Sequence, residues 1–492
     1  MSVRGKLERL LGSRQFYWGV IAFFVFEALW VALSAKYPMA FDEDFHFGII
    51  NIYAHQSHPF LSGQPTGANI YGALAADPSY LYHFLMSWAY RLIVPFADSQ
   101  MIQVICLRII NIGIITGGVL LLGKTLLRAG TPRQLVGTAT LLFALIPTVP
   151  LLAAQINYDS LFLLVLAWVC WLTLVITEDV QRRTLRLPNL VALGISLMLA
   201  SLVKYTFLPL ALATTMYAAV VLWRAFGWRR LWPAVAKAYR VLTPGMRIAL
   251  VILFVFAGGL FGQRYGANLI HYGSPLPDCR KVIGIDACSH YGPWARNYRY
   301  IQSKRHIDPN PAAYSWQWLA GMHYRLFFMI TGPPRHTNYP PSPLPSAAAV
   351  VILLSGTLAL IFYGRRVFAA RPYMAFLLFL SVTYVGALWF KNYSEFLETG
   401  QPVAINGRYV IPLLLPMAAV FGRGLAAATA RWPRLRIWAA ALAIVLFLEG
   451  GGVLGFISRS DDSWYWPGPA AAVNDAARKL VDPLIFEGPK HY

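Results

Sequence analysis

The feature that most constrains this chain is a series of long apolar runs. About 20 consecutive apolar residues are enough to cross the hydrocarbon core of a bilayer. Only 13% of the 492 residues are charged, about half of what soluble domains carry. The sequence therefore predicts an all-α polytopic membrane protein of about eleven transmembrane helices. The predicted spans are 16–35, 101–123, 134–154, 160–177, 188–203, 206–223, 248–265, 346–363, 373–391, 409–427 and 437–457.

The basic residues predict how these spans are oriented. If the N-terminus lies in the cytoplasm, 23 Lys and Arg residues fall in the inner segments, against only Glu8, Glu178 and Asp179. Cytoplasmic loops of membrane proteins carry such an excess. The net charge of +21 is thereby explained by topology, and we expect no nucleic-acid partner. A cleaved signal peptide at 16–35 is the disfavoured alternative, because the run is long for one.

The same orientation divides the chain into a bundle, residues 1–457, and an extracytoplasmic tail, 458–492. Two long outer loops, 36–100 and 266–345, interrupt the bundle, and these loops and the tail contain all ten His residues. The inner loops show no phosphate-binding motif. We therefore expect any chemistry on the outer face. The stretch 79–95 is predicted as an amphipathic interfacial helix, because counting it as a span would place the basic loops outside.

The cysteines and histidines indicate a disulfide more than a metal. Cys279 and Cys288 lie in the second outer loop with eight residues between them, and such a pair can close a small loop in an oxidising compartment. Free thiols are the alternative. Two further cysteines lie within spans and are expected to pack there. The histidines form no zinc signature, so no metal ligand is assigned.

Three acids and a histidine directly follow the first span, in the sequence AFDEDFHFG from Ala40. They are Asp42, Glu43, Asp44 and His46. Crowded carboxylates raise one another's pKa, which suits general-base work on a hydroxyl. The alternative is a helix start stabilised by acids in its first turn. Spacing alone leaves both readings open.

The acidic stretch resembles a motif of the multi-spanning GT-C glycosyltransferases. It is similar to the F-D-E-x-H-F-G stretch of protein O-mannosyltransferases, with one extra residue between Glu43 and His46. The lipid A aminoarabinose transferases show a similar order of loop, interfacial stretch and second span, here carrying Leu107-Arg108. Two further segments look like motifs of bacterial GT-C-like membrane proteins, namely Asn157-Tyr158-Asp159-Ser160 and Gly407-Arg408-Tyr409.

The resemblance implies a GT-C bundle that takes one sugar, a hexose or pentose, from a polyprenyl-phosphate donor. The acceptor, which is a lipid, glycan or protein, lies on the outer side of a bacterial plasma membrane. The family's acidic motif places the general base at Asp42, with Glu43 as its neighbour and Asp44 as the fallback. The resemblance implies no certain cofactor and leaves a divalent metal open.

Charge and position suggest the remaining roles. A lipid-phosphate leaving group needs cations at outer span ends, although such residues also snorkel to headgroups. The candidates for the donor phosphate are Arg408, Lys204, His46, Arg108, Arg264 and Lys391. Asp159 is a candidate for holding the acceptor or sugar, with Asn157, Tyr158 and Tyr409 beside it. Its alternatives are an ion pair with Arg108 or Lys204 and a helix N-cap.

The loop 266–345 is rich in aromatic residues that stack on sugars or line the membrane interface. They are Tyr291, Trp294, Tyr298, Tyr300, Trp316, Trp318 and Tyr324. Prolines near Pro333 and Pro340 suggest a lid. Two other functions compete with glycosyl transfer: a transporter or flippase of a lipid-linked glycan, and a surface-polysaccharide polymerase or ligase. The sequence shows no repeat, and its charges cluster at the outer surface, which disfavours transport.

Overall fold

The computed structural model describes residues 3–39, 42–303, 309–327, 330–331, 336–337, 342–460 and 462–485. Helices make up most of this part of the chain. A two-residue antiparallel pair, β1 (Ile330–Thr331) with β2 (His336–Thr337), is its only sheet. The helices are α1 (Val3–Leu11), α2 (Arg14–Ser34), α3 (Glu43–Ala54), α4 (Leu81–Ile93), α5 (Gln100–Arg128), α6 (Arg133–Ala144), α7 (Thr148–Ala153), α8 (Tyr158–Gln181), α9 (Leu187–Val203), α10 (Leu208–Val241), α11 (Pro244–Phe261), α12 (Ala267–Tyr272), α13 (Cys279–Cys288), α14 (Gly292–Gln302), α15 (Pro311–Phe327), α16 (Leu344–Ala370), α17 (Pro372–Thr399), α18 (Ile411–Ala428), α19 (Pro433–Leu448), α20 (Val453–Arg459) and α21 (Pro469–Val481).

Nine helical stretches within the described ranges are long and apolar enough to cross a membrane. The chain is thus an α-helical polytopic membrane protein, while the count of eleven spans is not confirmed. The nine stretches are Arg14–Ser34, Gln100–Arg128, Tyr158–Gln181, Tyr205–Val241, Pro244–Tyr272, Leu344–Ala370, Pro372–Thr399, Gly407–Ala428 and Pro433–Arg459.

The two predicted spans missing from this set differ for physical reasons. The run 134–154 is divided into α6 and α7, because the helix ends at Ala144 and Pro147 follows, and proline lacks the amide hydrogen that a helix interior needs. The run 188–203 forms α9, which has 17 residues. At 1.5 Å per residue that helix is about 25 Å long, shorter than the roughly 30 Å hydrocarbon core.

A second break, between α19 and α20, lies against the first. The Gly452 amide donates to the Leu145 carbonyl at 2.8 Å. The Val453 amide donates to the buried carboxyl of Glu27, on α2, at 2.9 Å. The backbone groups released by the two interruptions are therefore satisfied inside the protein, as a membrane environment requires.

The loop after α2 contains the helix α4, which begins at Leu81 inside the predicted interfacial stretch. With 13 residues, α4 is too short to span a membrane. It is joined to α3 by Arg91, whose guanidinium donates to the carbonyls of Ala54 and Tyr53 at 2.8 and 2.9 Å. Both carbonyls lie in the last turn of α3, where the helix itself provides few donors, so Arg91 caps that helix end.

The last described segment returns to the end of α2. The Lys36 amide donates to the Trp464 carbonyl at 2.7 Å, and the Trp466 amide donates to the Ser34 carbonyl at 3.0 Å. On α21, Asn474 accepts a hydrogen bond from Trp30 Nε1 and donates to Ser34 Oγ, both at 2.9 Å. The C-terminal segment therefore fixes the chain that leads from α2 toward α3.

Candidate functional site

Several helix ends that are far apart in the sequence meet at one end of the bundle. The C-terminal end of α2, the start of α3 and the N-terminal parts of α5, α8 and α18 converge there, together with the turn between α9 and α10. Three acid–base pairs connect these elements: Glu43–Arg108, Asp42–Arg408 and Asp159–Lys204. The sequence motifs thus lie in one cluster, and the three pairs differ in what they leave accessible.

The Glu43–Arg108 pair is entirely buried. Arg108 Nε and Nη2 donate to the two carboxylate oxygens of Glu43 at 2.8 and 2.7 Å, and neither side chain is exposed. Arg108 Nη1 also donates to the carbonyls of Ala32 and Ala35, on or just after α2. This geometry uses both residues to hold α2, α3 and α5 together. It argues against a role for Arg108 in binding phosphate and for Glu43 as a base.

The backbone saturates the same carboxylate. The amide of Met39 donates to Glu43 Oε2 at 2.7 Å, and the amide of Ile156 donates to Oε1 at 3.3 Å. A carboxylate with four donors has no lone pair directed at a substrate. Asp42, the first acid of the motif, differs from Glu43 in being exposed.

Asp42 lies at the surface of the cluster, with 57% of its side chain exposed. Its Oδ2 accepts from Arg408 Nη2 at 2.6 Å, and the Arg408 side chain is only 6% exposed. The Asp42 backbone has φ +68°, a left-handed conformation that Asp tolerates better than most residues. A buried cation is thus presented to an open carboxylate at the bundle surface.

Lys204 and Asp159 form the third pair, below the surface. Lys204 Nζ lies 2.5 Å from Asp159 Oδ1, and each side chain is 3% exposed. The ammonium also lies 4.4 Å from the ring centre of Tyr158 and 4.8 Å from that of Tyr409. Aromatic faces attract desolvated cations, so these two rings stabilise Lys204 in place of water. One of the pairings left open by the sequence, Asp159 with Lys204, is the one observed.

His46 continues the cluster on the inner face of α3, where it is 1% exposed. Its Nδ1 lies 2.9 Å from Nε2 of His83, and Nδ1 of His83 lies 3.2 Å from the Ser79 carbonyl oxygen. A carbonyl only accepts, so His83 Nδ1 carries a hydrogen and its Nε2 accepts from His46. This chain fixes the tautomer of His46 and leaves Nε2 with a free lone pair.

Burial and charge keep both imidazoles neutral. Burial lowers the pKa of His46 well below its ordinary value, and His83, Arg408 and Lys204 lower it further. Burial lowers the pKa of His83 to about 3, against a smaller opposite effect of its bond to the Ser79 carbonyl. His46 therefore acts at neutral pH as a hydrogen-bond acceptor and not as a cation that would attract phosphate.

Two asparagines place the polar residues of the cluster at helix starts. Asn157 caps α8, with its side chain accepting from the Asp159 amide at 2.8 Å. Asn406 accepts from the Arg408 amide at 3.1 Å and opens the short 3₁₀ turn that precedes α18. Side-chain caps fix the first turn of a helix. Asn157 therefore has a structural role beside a candidate binding residue.

Gly407 is required by a close approach of backbones. A Cβ at this position would lie 2.4 Å from the Met322 carbonyl oxygen and 2.9 Å from the Leu326 nitrogen. Both atoms belong to the backbone of α15, which cannot yield locally. The absence of a side chain at Gly407 thus lets α15 lie directly against the turn that carries Arg408.

The segment that begins with α13 covers the cluster from one side. Cys279 and Cys288 are joined by a disulfide, and the chain that follows brings Tyr291 over Phe45, with ring centres 6.0 Å apart. A Cβ at Gly72 would lie 3.1 Å from the same ring. The pKa of Tyr291 is raised by burial first, and then by the charges of Asp77 and Asp42. Tyr291 is therefore a wall residue of the site.

Three of the predicted site residues lie outside the cluster. Asp44 is exposed and accepts no hydrogen bond from the described residues. Arg264 is buried, and its guanidinium donates to the carbonyls of Ala75 and Pro59, so that it anchors the segment between α3 and α4 to the end of α11. Lys391 is 60% exposed and pairs with Glu395 at 3.1 Å along α17. These positions give Arg264 and Lys391 local roles.

The remaining aromatic residues of the second loop take several positions. Trp294 stacks on Tyr298 with ring centres 4.8 Å apart, and Trp316 is exposed. Trp318 is buried and donates to Asn392 at 2.9 Å. The prolines of the predicted lid, Pro333 and Pro340, lie outside the described residues. In the part of the chain that is described, no three His, Cys, Asp or Glu side chains come together as metal ligands do.

Sequence reasoning missed His83 as a site residue. In the sequence, His83 is visible only as a polar residue within the apolar stretch 79–95. Its part in the site follows from the hydrogen bond to His46, which the sequence does not reveal. Tyr291 was proposed only as one aromatic residue of many. No spacing rule singles it out, because its position follows from the fold of the whole loop.

Comparison with models of known protein families gives no match for this chain, and comparison with curated protein sequences gives none either. The cluster itself indicates which chemistry is possible. A buried guanidinium that is paired with an exposed carboxylate can exchange that carboxylate for another anion. A neutral imidazole and a buried carboxylate can accept hydrogen bonds from hydroxyl groups.

Proposed function

We propose that the protein is a glycosyltransferase that moves a sugar from a polyprenyl-phosphate donor to an acceptor on the extracytoplasmic face of the plasma membrane. The observation that carries this proposal is the Asp42–Arg408 pair, in which a buried cation holds a half-exposed carboxylate at 2.6 Å. The resemblance of the acidic stretch to the GT-C motif also favours it. The other two ion pairs are buried, which leaves Asp42 as the accessible acid of the cluster.

The pair suggests how a donor is received. A phosphate group is negatively charged, and two of its oxygens can accept parallel hydrogen bonds from the planar guanidinium of an arginine. Arg408 is buried and cannot follow a departing partner, whereas Asp42 is exposed and can rotate into solvent. The donor phosphate would displace Asp42 from Arg408, and Lys204 nearby would add a second positive charge. Arg408 would then stabilise the negative charge that grows on the leaving phosphate.

The released carboxylate supplies the base. The acceptor hydroxyl oxygen attacks the anomeric carbon of the donor sugar, and its proton moves to Asp42. The bond between the anomeric carbon and the phosphate oxygen breaks, and its electron pair leaves with the lipid phosphate at Arg408. Proton transfer to a positioned carboxylate contributes about a hundredfold to ten-thousandfold in rate. Asp42 thus links donor arrival to acceptor activation.

An apolar groove provides a place for the lipid chain of the donor. It has a volume of about 440 Å³ and lies between α15, α17 and α18. Trp318, Trp389 and Phe421 are among its lining residues. Trp318 belongs to a hydrophobic cluster against which Tyr409 packs, beside Arg408. A polyprenyl chain in this groove would therefore have its phosphate end near Arg408.

The test is transfer by the purified protein in nanodiscs, using short-chain polyprenyl phosphates that carry glucose, mannose, galactose or arabinose. Cell-envelope lipids serve as acceptors. We expect Asp42→Asn to lose at least about a hundredfold in rate, the lower range for one general base. Arg408→Gln should lose transfer as well and weaken binding of the bare lipid phosphate.

Asp44→Asn is the matched control, because Asp44 is a neighbouring acid without a partner in the cluster, and it should transfer at nearly the wild-type rate. Equal rates for Asp42→Asn and Asp44→Asn would remove Asp42 as the base. Failure of the wild type to bind any polyprenyl phosphate would overturn the proposed function and favour transport of another substrate.

A further inference from the structure

Among the residues of the three ion pairs and the His46–His83 chain, two hydrogen-bond acceptors have no partner in the described part of the protein. His46 Nε2 and Asp159 Oδ2 are buried and have no hydrogen-bond partner among the described residues. Both residues are linked to Tyr158: Lys204, the partner of Asp159, has its Nζ 4.4 Å from the Tyr158 ring centre. Tyr158 precedes Asp159 in the chain, and its ring centre lies 4.5 Å from that of His46. The two unused acceptors therefore belong to the same cluster as Arg408, which interacts electrostatically with both residues.

Each of the two atoms accepts for a structural reason. The chain from the Ser79 carbonyl through His83 places the only hydrogen of His46 on Nδ1, so Nε2 has a lone pair and no hydrogen. Lys204 occupies one oxygen of the Asp159 carboxylate, and Oδ2 is the oxygen that remains for another donor. Buried acceptors without a donor are costly, and the described protein provides no donor for them.

Neither acceptor suits a phosphate. The oxygens of a phosphodiester have no hydrogen to donate at neutral pH, and they would repel both the carboxylate and the imidazole lone pair. A sugar, by contrast, presents several hydroxyl groups, each of which is a donor. His46 was a candidate for the donor phosphate on sequence grounds, and its geometry assigns it a different ligand group.

We propose that His46 Nε2 and Asp159 Oδ2 bind the sugar of the lipid-linked donor, each accepting a hydrogen bond from one of its hydroxyl groups. This inference rests on the proposed function and adds to it the part of the substrate that these residues recognise. The site then selects sugars with free hydroxyls at two positions. Replacing either hydroxyl by a group that cannot donate leaves a buried acceptor unpaired.

The experiment measures binding of short-chain polyprenyl phosphates to the full-length protein in nanodiscs. The ligands are citronellyl phosphate without a sugar and citronellyl phosphates that carry glucose, mannose, galactose or arabinose. For the sugar that binds most tightly, each hydroxyl is replaced in turn by fluorine, which cannot donate. We expect fluorine at two positions to weaken binding by about tenfold to a hundredfold, and fluorine elsewhere to have little effect.

The His46→Phe variant connects the acceptor to its hydroxyl. It should bind the lipid with the unmodified sugar less tightly than the wild type does. Fluorine at one of the two sensitive positions should no longer weaken binding to this variant, whereas fluorine at the other position should weaken it as before. His46→Gln, which restores an acceptor, should recover part of that penalty. Binding of citronellyl phosphate without sugar should be unchanged in both. His55→Phe, at an exposed position on the same loop, is the matched control.

Three results would overturn the inference. If no fluorine substitution weakens binding to the wild type, the two acceptors do not bind the sugar. This measurement uses only the wild-type protein and therefore does not depend on whether a variant folds. His46 is not the partner if both fluorine penalties persist in His46→Phe, or if that variant loses bare and glycosylated lipid equally. In these cases the glycosyltransferase proposal stands as long as the bare lipid phosphate binds through Arg408. If neither lipid binds to the wild type, both proposals fail.

Discussion

Arg108 and Glu43 form a two-bond ion pair, at 2.8 and 2.7 Å, in which neither side chain is exposed. The pair lies one residue from Asp42, whose carboxylate is more than half exposed. Adjacent acids of one motif therefore have opposite environments. One holds three helices together, and the other is available for exchange.

Glu43→Gln is expected to destabilise the protein strongly. It leaves the Arg108 charge buried without a counter-charge, which costs about 3–5 kcal/mol. The measurement is unfolding of the purified protein in detergent. The matched control is Glu178→Gln, which breaks the partly exposed Arg128–Glu178 pair and should cost less than about 1 kcal/mol. Equal losses in the two variants would show that the Glu43 pair is not a structural centre.

The histidine pair predicts a stability that falls with acid. The pKa of both imidazoles is depressed in the folded protein, to about 3 for His83, while the unfolded value is near 6.5. Below pH 6.5 the unfolded chain binds protons that the folded protein does not. Stability is therefore complete above that pH and declines by up to about 1.4 kcal/mol per pH unit for each histidine. Thermal midpoints recorded from pH 7.5 to 4.5 test this.

His83→Gln should lower the slope of stability against pH by the contribution of one proton. Glutamine can accept the hydrogen bond from His46 but does not titrate. Replacing the exposed His55 in the same way should leave the slope unchanged. A His83→Gln profile parallel to that of the wild type would mean that His83 is protonated in the folded state.

Opening the disulfide should loosen the wall of the site. In the chain-entropy view, closing a loop of about ten residues is worth about 2–3 kcal/mol. Cys279→Ser with Cys288→Ser is expected to expose Tyr291 and to weaken substrate binding more than it lowers the melting temperature of the bundle. Cys106→Ser, at a free cysteine, is the control. Protease sensitivity within 273–303 and substrate affinity are the measurements, and unchanged values in both would remove this loop from the site.

Gly407→Ala should disable the site while leaving the fold largely intact. The added methyl meets backbone atoms of α15 at 2.4 and 2.9 Å, which forces the turn carrying Arg408 to move. We expect at least a tenfold loss in binding of the bare lipid phosphate, since bidentate recognition depends on geometry. Gly19→Ala, where a Cβ would meet nothing within 4 Å, should bind normally. Normal binding by Gly407→Ala would mean that Arg408 does not contact the phosphate.

Hydropathy located most of the membrane helices but not their interruptions. The turn at Lys204 and Tyr205 was visible, because two polar residues between apolar runs leave no length for a loop, and α9 does end at Val203. The interruption near Pro147 and that at Gly450–Gly452 were read as continuous spans. The mean hydropathy over 20 residues stays high across a helix break. It therefore does not show whether the backbone is helical throughout the window.

The pairing within the site was less accessible to sequence reasoning. Motif spacing places Asp42 and Glu43 side by side, but Glu43 pairs with a residue 65 positions away and Asp42 with one 366 positions away. Charge alone allows either acid to meet either arginine. Which pair forms depends on how α5 and α18 pack around α2, and local periodicity does not determine that arrangement.

The two helix interruptions beside Glu27 have a consequence for how the bundle tolerates change. Each break supplies what the other lacks, because the Gly452 amide reaches the Leu145 carbonyl at 2.8 Å. A substitution that straightened only one of them would strand a polar backbone group of its partner in an apolar interior. A chain that lost one interruption through drift would therefore be under pressure to lose the other. The two segments, some 300 residues apart, therefore depend on each other for their irregular backbone.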